Sequence, residues 1–275
     1  MAYNAEISRA NPSCFVFLID QSGSMADARG GGASSRNKAQ GLSDILNNLL
    51  RNLILRCAKE EGVRDYYQIG VLGYGQTVGP ALGGSLAGRQ LVPLSEIATS
   101  PVRLDEREKE DGVGGLVKIK FPIWVDPIAN GGTPMCQAFA QAQTILEGWL
   151  TQHASSFPPI VINITDGEAT DGDPSSAADS LRRLSTNDGE VLVFNIHLSS
   201  HHATPIEFPN SEAGLPDQFA QLLFRMSSHL PPHMCAAAQQ EGYRLQEGAR
   251  GFVFNADMVA VIKALEIGTR PSNLR

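Results

Sequence analysis

Apolar positions along this chain follow two rhythms. Cys14-Phe15-Val16-Phe17-Leu18-Ile19 is unbroken and rich in aromatic and β-branched residues. Such a run fits a short strand buried on both faces. The same signature returns at 66–75, 159–165, 191–198 and 251–254. Between these runs the spacing changes to a helical one. Leu42, Ile45, Leu46, Leu49, Leu53 and Cys57 predict a long amphipathic helix over about 37–60. Met135, Phe139, Ala142, Leu146 and Trp149 predict a second, with Pro134 suited to its first position. Shorter helices are expected at about 174–185, 216–229 and 232–241, and a last one at 256–267. Strands alternating with helices predict an α/β fold with a doubly wound, mostly parallel sheet and helices on both faces. If the first two strands are parallel, a right-handed crossover joins them; if the second runs back, they form an edge hairpin.

Residues 76–130 break this alternation. They contain a glycine cluster at 83–88, short apolar runs at 91–94 and 117–121, and a mixed-sign charged stretch from Arg103 to Asp111. The charges read as a solvated loop or exposed helix. Residues 116–125 alternate well enough for a strand or hairpin arm. The whole segment is expected to be an insertion or elaborated connection on a single domain spanning 1–275.

Composition narrows the function. The chain has 275 residues, 42% of them hydrophobic, and a formal net charge of −7. That size suits one large domain, and the charge argues against nucleic acid as a partner. No apolar run approaches the length of a membrane span, and no basic region precedes a long apolar one at the N-terminus. Cys14, Cys57, Cys136 and Cys235 are scattered without a Cys-x-x-Cys pair. They read as small buried hydrophobes in a reducing compartment. The expectation is a cytoplasmic protein.

Candidate chemistry lies in three polar turns. The first apolar run ends at Asp20, followed by Ser22, Gly23 and Ser24. Thr133 follows two glycines just before a predicted helix, and the 159–165 run ends in Asp166-Gly167. In a doubly wound sheet, ligands bind at the carboxyl ends of the strands, so these turns can meet on one edge. Together they offer hydroxyls and carboxylates, with no thiolate or imidazole. That donor set suits Mg²⁺, Mn²⁺ or Ca²⁺ rather than zinc or copper. With two formal negative charges around it, a divalent ion keeps Lewis acidity and a coordination position for an acidic group of a partner.

On these residues, Asp20-x-Ser22-x-Ser24, then Thr133, then Asp166, the chain resembles a von Willebrand factor type A domain with a complete metal-ion-dependent adhesion site. The resemblance implies that Ser22, Ser24 and Thr133 supply hydroxyl ligands. Asp20 and Asp166 would bind directly or through water, and Mg²⁺ is the expected ion. Asp171 and Asp173 have no counterpart in that motif. The chain resembles the free-standing bacterial cytoplasmic members of tellurite-resistance-associated type more than the animal adhesion proteins, and those members accompany protein kinases and phosphatases. This implies an adaptor whose metal coordinates an acidic residue of a protein partner.

Other readings compete. The same acidic edge suits a metal-assisted phosphatase or hydrolase, yet the three turns contain no His or Lys to act as a base. A non-ATPase subunit of a larger ATP-driven assembly is a further alternative. The loop at 28–35 has neither a Gly-Lys-Ser/Thr ending nor a G-x-G-x-x-G pattern. No G-x-S-x-G elbow appears. His197, His201 and His202 read as ordinary surface or loop histidines. The expected protein is therefore not an enzyme.

Overall fold

A computed structural model of the protein describes residues 3–27, 37–110, 115–198 and 204–255. The expected loop at 28–35, His201, His202 and the helix at 256–267 lie outside the described residues.

The first apolar run forms β1 (Ser13–Asp20), in which every residue is buried. Asn37 then caps α1 (Lys38–Cys57), its side chain accepting the N–H of Gln40. A helix of that length spans about 30 Å. This suffices to return the chain to the start of a parallel neighbour of eight residues, about 26 Å long. That neighbour is β2 (Tyr67–Tyr74), paired with β1 from Ser13↔Tyr67 to Asp20↔Tyr74. The parallel alternative therefore holds.

Residues 76–130 serve two structural purposes. β3 (Val78–Pro80) and β4 (Val92–Pro93) both pair antiparallel with β2, so part of the segment finishes the edge of the main sheet. After α2 (Leu94–Thr99), β5 (Arg103–Glu110) and β6 (Leu116–Ile123) form a separate antiparallel hairpin. The charged stretch is thus neither loop nor helix. Its charges face opposite charges across the ladder, Glu106↔Lys120 and Glu108↔Lys118, and such pairs stabilise an arm with little core. The base of this hairpin is locked to α1 by Asn47. Its Oδ1 accepts the N–H groups of Trp124 (2.8 Å) and Val125 (3.1 Å), and its Nδ2 donates to the Val125 carbonyl (2.9 Å).

The chain then alternates as expected. α3 (Met135–Leu150), β7 (Ile160–Thr165), α4 (Ser175–Arg182) and β8 (Leu192–His197) follow in order. A short β9 (Ile206–Glu207), α5 (Gln218–Met226), α6 (Pro232–Gln240) and β10 (Phe252–Phe254) complete the described chain. Pro134 takes the cap of α3, one position earlier than the sequence suggests.

Among the described residues the main sheet has eight strands, in the order β9-β10-β8-β7-β1-β2-β3, with β4 also against β2. The strands from β10 to β2 are parallel, and β9, β3 and β4 are antiparallel edges. Two apolar layers flank the sheet. Phe15, Phe17 and Ile19 of β1 face a core shared with α1, α2 and α6. Cys14, Val16 and Leu18 face a second core shared with α3, α4 and α5. This is the doubly wound architecture that the alternation predicts. No helix among the described residues is long and apolar enough to cross a membrane.

Candidate metal centre

Topology marks one place on this sheet. From β1 the chain moves to β2 on one side, and it later places β7 on the other side. The strand order therefore reverses between β1 and β7, which opens a crevice beyond their carboxyl ends. Ile19 pairs with Ile164 in register, so Asp20 and Thr165 lie side by side at the mouth of that crevice.

Asp20 is completely buried. Its Oδ1 accepts the N–H of Ser22 (2.8 Å), and its Oδ2 accepts the hydroxyl of Thr165 (2.6 Å). Burial pushes the Asp20 carboxyl above its ordinary pKa; hydrogen bonds from Ser22 and Thr165 pull it back, and Asp166 adds to the rise. The turn after Asp20 continues as a short 3₁₀ helix, Gly23–Ala26. Its hydroxyls are linked, with Ser22 Oγ 3.0 Å from Ser24 Oγ. Ser24 Oγ in turn donates to Asp166 Oδ1 (2.8 Å). Four of the five expected ligands, Asp20, Ser22, Ser24 and Asp166, thus form one hydrogen-bonded chain.

Thr133 reaches the same edge through backbone contacts. Gly23 N–H donates to the Gly131 carbonyl (2.9 Å), and Asn130 N–H donates to the Gln21 carbonyl (2.6 Å). The glycines make this approach feasible. Gly131 has φ of 85°, and a Cβ there would come within 2.4 Å of the Gln76 nitrogen. A Cβ on Gly75 would come within 2.6 Å of the Asn130 carbonyl. Thr133 itself is held by Thr170, whose Oγ1 accepts the Thr133 N–H and whose N–H donates to the Thr133 carbonyl, each at 2.9 Å. Among the described residues, no hydrogen bond joins the Thr133 hydroxyl to the other four.

Asp171 lies outside this constellation and has its own task. Its carboxylate accepts the N–H groups of Cys136 and Gln137 at 3.0 Å each, capping α3 from another loop. Asp173 accepts the Ser175 N–H at the start of α4.

Two groups at the site were not apparent from the three turns. Lys38, the first residue of α1, places Nζ 2.6 Å from Asp166 Oδ2, with side-chain exposures of 3% and 2%. A cation at a helix N-terminus opposes the helix dipole, and that mismatch was the available sequence signal. His197 is not a surface or loop residue. It ends β8, is 5% exposed, packs edge-on against Phe254, and sets Nε2 3.4 Å from the Asp166 carbonyl oxygen. Burial lowers its pKa below the ordinary histidine value. A base is therefore present near the carboxylates. However, Lys38 is committed to Asp166, and among the described residues the buried His197 Nδ1 has no hydrogen-bond partner.

Beneath the site a buried polar ladder crosses the sheet. Tyr74 Oη donates to Asn163 Oδ1 (2.6 Å), Asn163 Nδ2 to Asn195 Oδ1 (2.9 Å), and Asn195 Nδ2 to Ser227 Oγ (3.0 Å). It ties β2, β7 and β8 to the end of α5, and so braces the two strands that flank β1, one of which, β7, leads into Asp166. Beside the crevice, a groove of about 390 Å³ opens between 168–174 and α5, lined in part by Glu168, Asp173, Phe219 and Arg225.

The donor set is chemically suited to a hard cation. Among the described residues, no group of three or more His, Cys, Asp or Glu side chains is placed to hold a metal. A cation in this crevice would depend on hydroxyls and two carboxylates, as Mg²⁺ and Ca²⁺ do and zinc does not.

No family model matches the sequence, and no curated protein matches it. Similar solved structures include the three N-terminal domains of the type V pili tip protein Mfa5 from Porphyromonas gingivalis, at 17% identity and TM-score 0.32. That match covers 58% of this chain and 20% of that one. The vWF domain of Mfa5 is similar at 16% identity and TM-score 0.32, covering 58% and 39%. The PilB minor pilin from Streptococcus sanguinis is similar at 10% identity and TM-score 0.44, covering 94% and 60%. The chain spans less than two thirds of the length of each of these structures.

Proposed function

We propose that this chain is a protein-binding module of von Willebrand factor A type, in which a divalent cation bridges the domain to an acidic residue of a partner. One observation carries the reading. Asp20, Ser22, Ser24 and Asp166 come from two separate turns and form a single hydrogen-bonded chain at the sheet's switch point. Thr133 is stitched to the same edge by the Gly131 and Asn130 backbone. Ser22, Ser24 and Thr133 would hold the ion through hydroxyls. Asp20, completely buried, is suited to act through water, while Asp166 lies between Ser24 and Lys38. Mg²⁺ is the expected ion, with Mn²⁺ and Ca²⁺ as alternatives. When bound, such a cation supplies an electrophilic position that a partner's carboxylate can occupy. The partner would be a protein, with a kinase- or phosphatase-linked system in the cytoplasm as the proposed setting.

The neighbouring Lys38 and His197 support a second reading, a metal-assisted phosphatase or hydrolase. The adaptor reading is preferred because both side chains are buried and Lys38 is already paired with Asp166.

The test is capture of partners from the native host's lysate, run with Mg²⁺ and with EDTA. Wild type is compared with Asp20→Ala and Thr133→Ala, all verified as folded. A protein retained only by wild type with Mg²⁺ supports the adaptor. Equal retention in every lane removes the metal site as the docking surface, and phosphatase activity lost in both variants would favour the enzyme.

A further inference from the structure

Both oxygens of the Asp166 carboxylate are engaged within the protein. Oδ1 accepts the Ser24 hydroxyl, and Oδ2 lies 2.6 Å from the Lys38 ammonium, with both charged side chains almost wholly buried. Formal charge within the crevice is therefore −1: two carboxylates, Asp20 and Asp166, less the charge of Lys38. Hard divalent cations in proteins are normally held with one or two carboxylates free to neutralise them. Here a tethered monovalent cation already uses one of the two. An ammonium sharing one carboxylate with a divalent ion would be repelled by it, most strongly where water is excluded. The position of Lys38 has no local explanation, because a lysine at the first residue of a 20-residue helix opposes the dipole, and α1 has no acid in its first turn. Its N–H donates to the Asp27 carbonyl (3.1 Å), so the start of α1 is fixed against the turn that carries Ser22 and Ser24.

We infer that Lys38 is a built-in counter-ion that occupies the site in place of the divalent cation and must leave Asp166 before the metal can bind. This rests on the metal-centre reading above and adds a control to it: the site is closed by its own lysine, and divalent affinity is set by the cost of displacing that ammonium. A partner carboxylate that arrives with the metal would help to restore charge balance, so metal and partner should bind with mutual reinforcement.

The probe is Mg²⁺ alone, and Mn²⁺ in parallel, titrated calorimetrically into wild type, Lys38→Met and Lys38→Arg. Lys38→Met removes the charge at nearly constant length, and its Mg²⁺ dissociation constant is expected to fall at least tenfold. Lys38→Arg keeps the charge and should stay within about threefold of wild type. Mg²⁺ should also raise the melting temperature of Lys38→Met more than that of wild type, because it relieves a buried, unpaired Asp166. In wild type, the NMR signal of the Lys38 ammonium should shift as Mg²⁺ is added. If wild type binds Mg²⁺ and Lys38→Met binds it no tighter, Lys38 is not the control and the inference is overturned. If folded wild type and folded Lys38→Met both fail to bind Mg²⁺ and Mn²⁺, the metal-centre reading falls, and this inference with it.

Discussion

Gly131→Ala perturbs the contact that brings Thr133 to the crevice without removing any proposed ligand. Gly131 has φ of 85°, where an L-residue carries a penalty of about 1–2 kcal/mol. The added Cβ would lie 2.4 Å from the Gln76 nitrogen and 2.5 Å from its Cα, both backbone atoms that cannot rotate away. Relieving such a contact to ordinary van der Waals separation requires the loop to move by about 1 Å, and misplacement on this scale is costly for a preorganised site. The movement would loosen the 2.9 Å bond from Gly23 N–H to the Gly131 carbonyl and the 2.6 Å bond from Asn130 N–H to the Gln21 carbonyl. Each is worth about 1 kcal/mol net. The expected loss in unfolding free energy is about 2–4 kcal/mol, read as a lower midpoint in urea with an unchanged slope. The same variant should bind Mg²⁺ at least tenfold more weakly by calorimetry, because Thr133 no longer shares the edge with Ser22 and Ser24. A Gly131→Ala protein with wild-type stability and wild-type Mg²⁺ affinity would refute the claim that this backbone approach builds the site.

The polar ladder makes a second prediction. Asn163→Ala leaves the Tyr74 hydroxyl and the Asn195 amide oxygen buried without their partner, which should cost about 2–5 kcal/mol in urea denaturation; a loss below about 1 kcal/mol would show that the ladder does not brace the sheet. Asp171→Ala removes the carboxylate that caps Cys136 and Gln137, so α3 should be destabilised by about 1 kcal/mol, with a smaller thermal shift in Asp171→Asn. His233 packs edge-on against Phe157 at 5.7 Å, and burial lowers its pKa, with Asp188 opposing that shift. The folded protein therefore binds fewer protons than the unfolded chain as pH falls below about 6.5. The His233 contribution to stability is present above that pH and is lost on acidification, so His233→Phe should flatten the decline in melting temperature between pH 7 and pH 5.

Five strands of the main sheet were legible in the sequence because burial on both faces favours short, near-continuous apolar runs, as at 14–19 and 160–165. The long helices were legible for the related reason that each presents one apolar stripe to the sheet. β5 was hidden because its stability comes from cross-strand charge pairs, Glu106↔Lys120 and Glu108↔Lys118, and not from alternating burial. Such pairs become visible only when both strands of the hairpin are considered together. The site divided along similar lines. Asp20, Ser22, Ser24 and Asp166 could be placed because each follows a buried strand, and the switch point brings those strand ends together. Lys38 and His197 could not, because one begins a helix and the other ends a strand whose position beside β7 depends on the strand order. The three turns themselves contain no His or Lys; the fold brings Lys38 and His197 beside the carboxylates from outside those turns.

The proposed metal centre would hold a divalent cation between the β1 turn and Asp166. Anomalous diffraction from crystals of the protein equilibrated with saturating Mn²⁺ tests it most directly. A single strong peak is expected in the crevice, in contact with the Ser22 and Ser24 hydroxyls, with the Lys38 ammonium withdrawn from Asp166, and the peak should be lost in crystals of folded Asp20→Ala. A crevice without a peak, with Lys38 still paired to Asp166 at saturating Mn²⁺, would contradict the proposed metal centre.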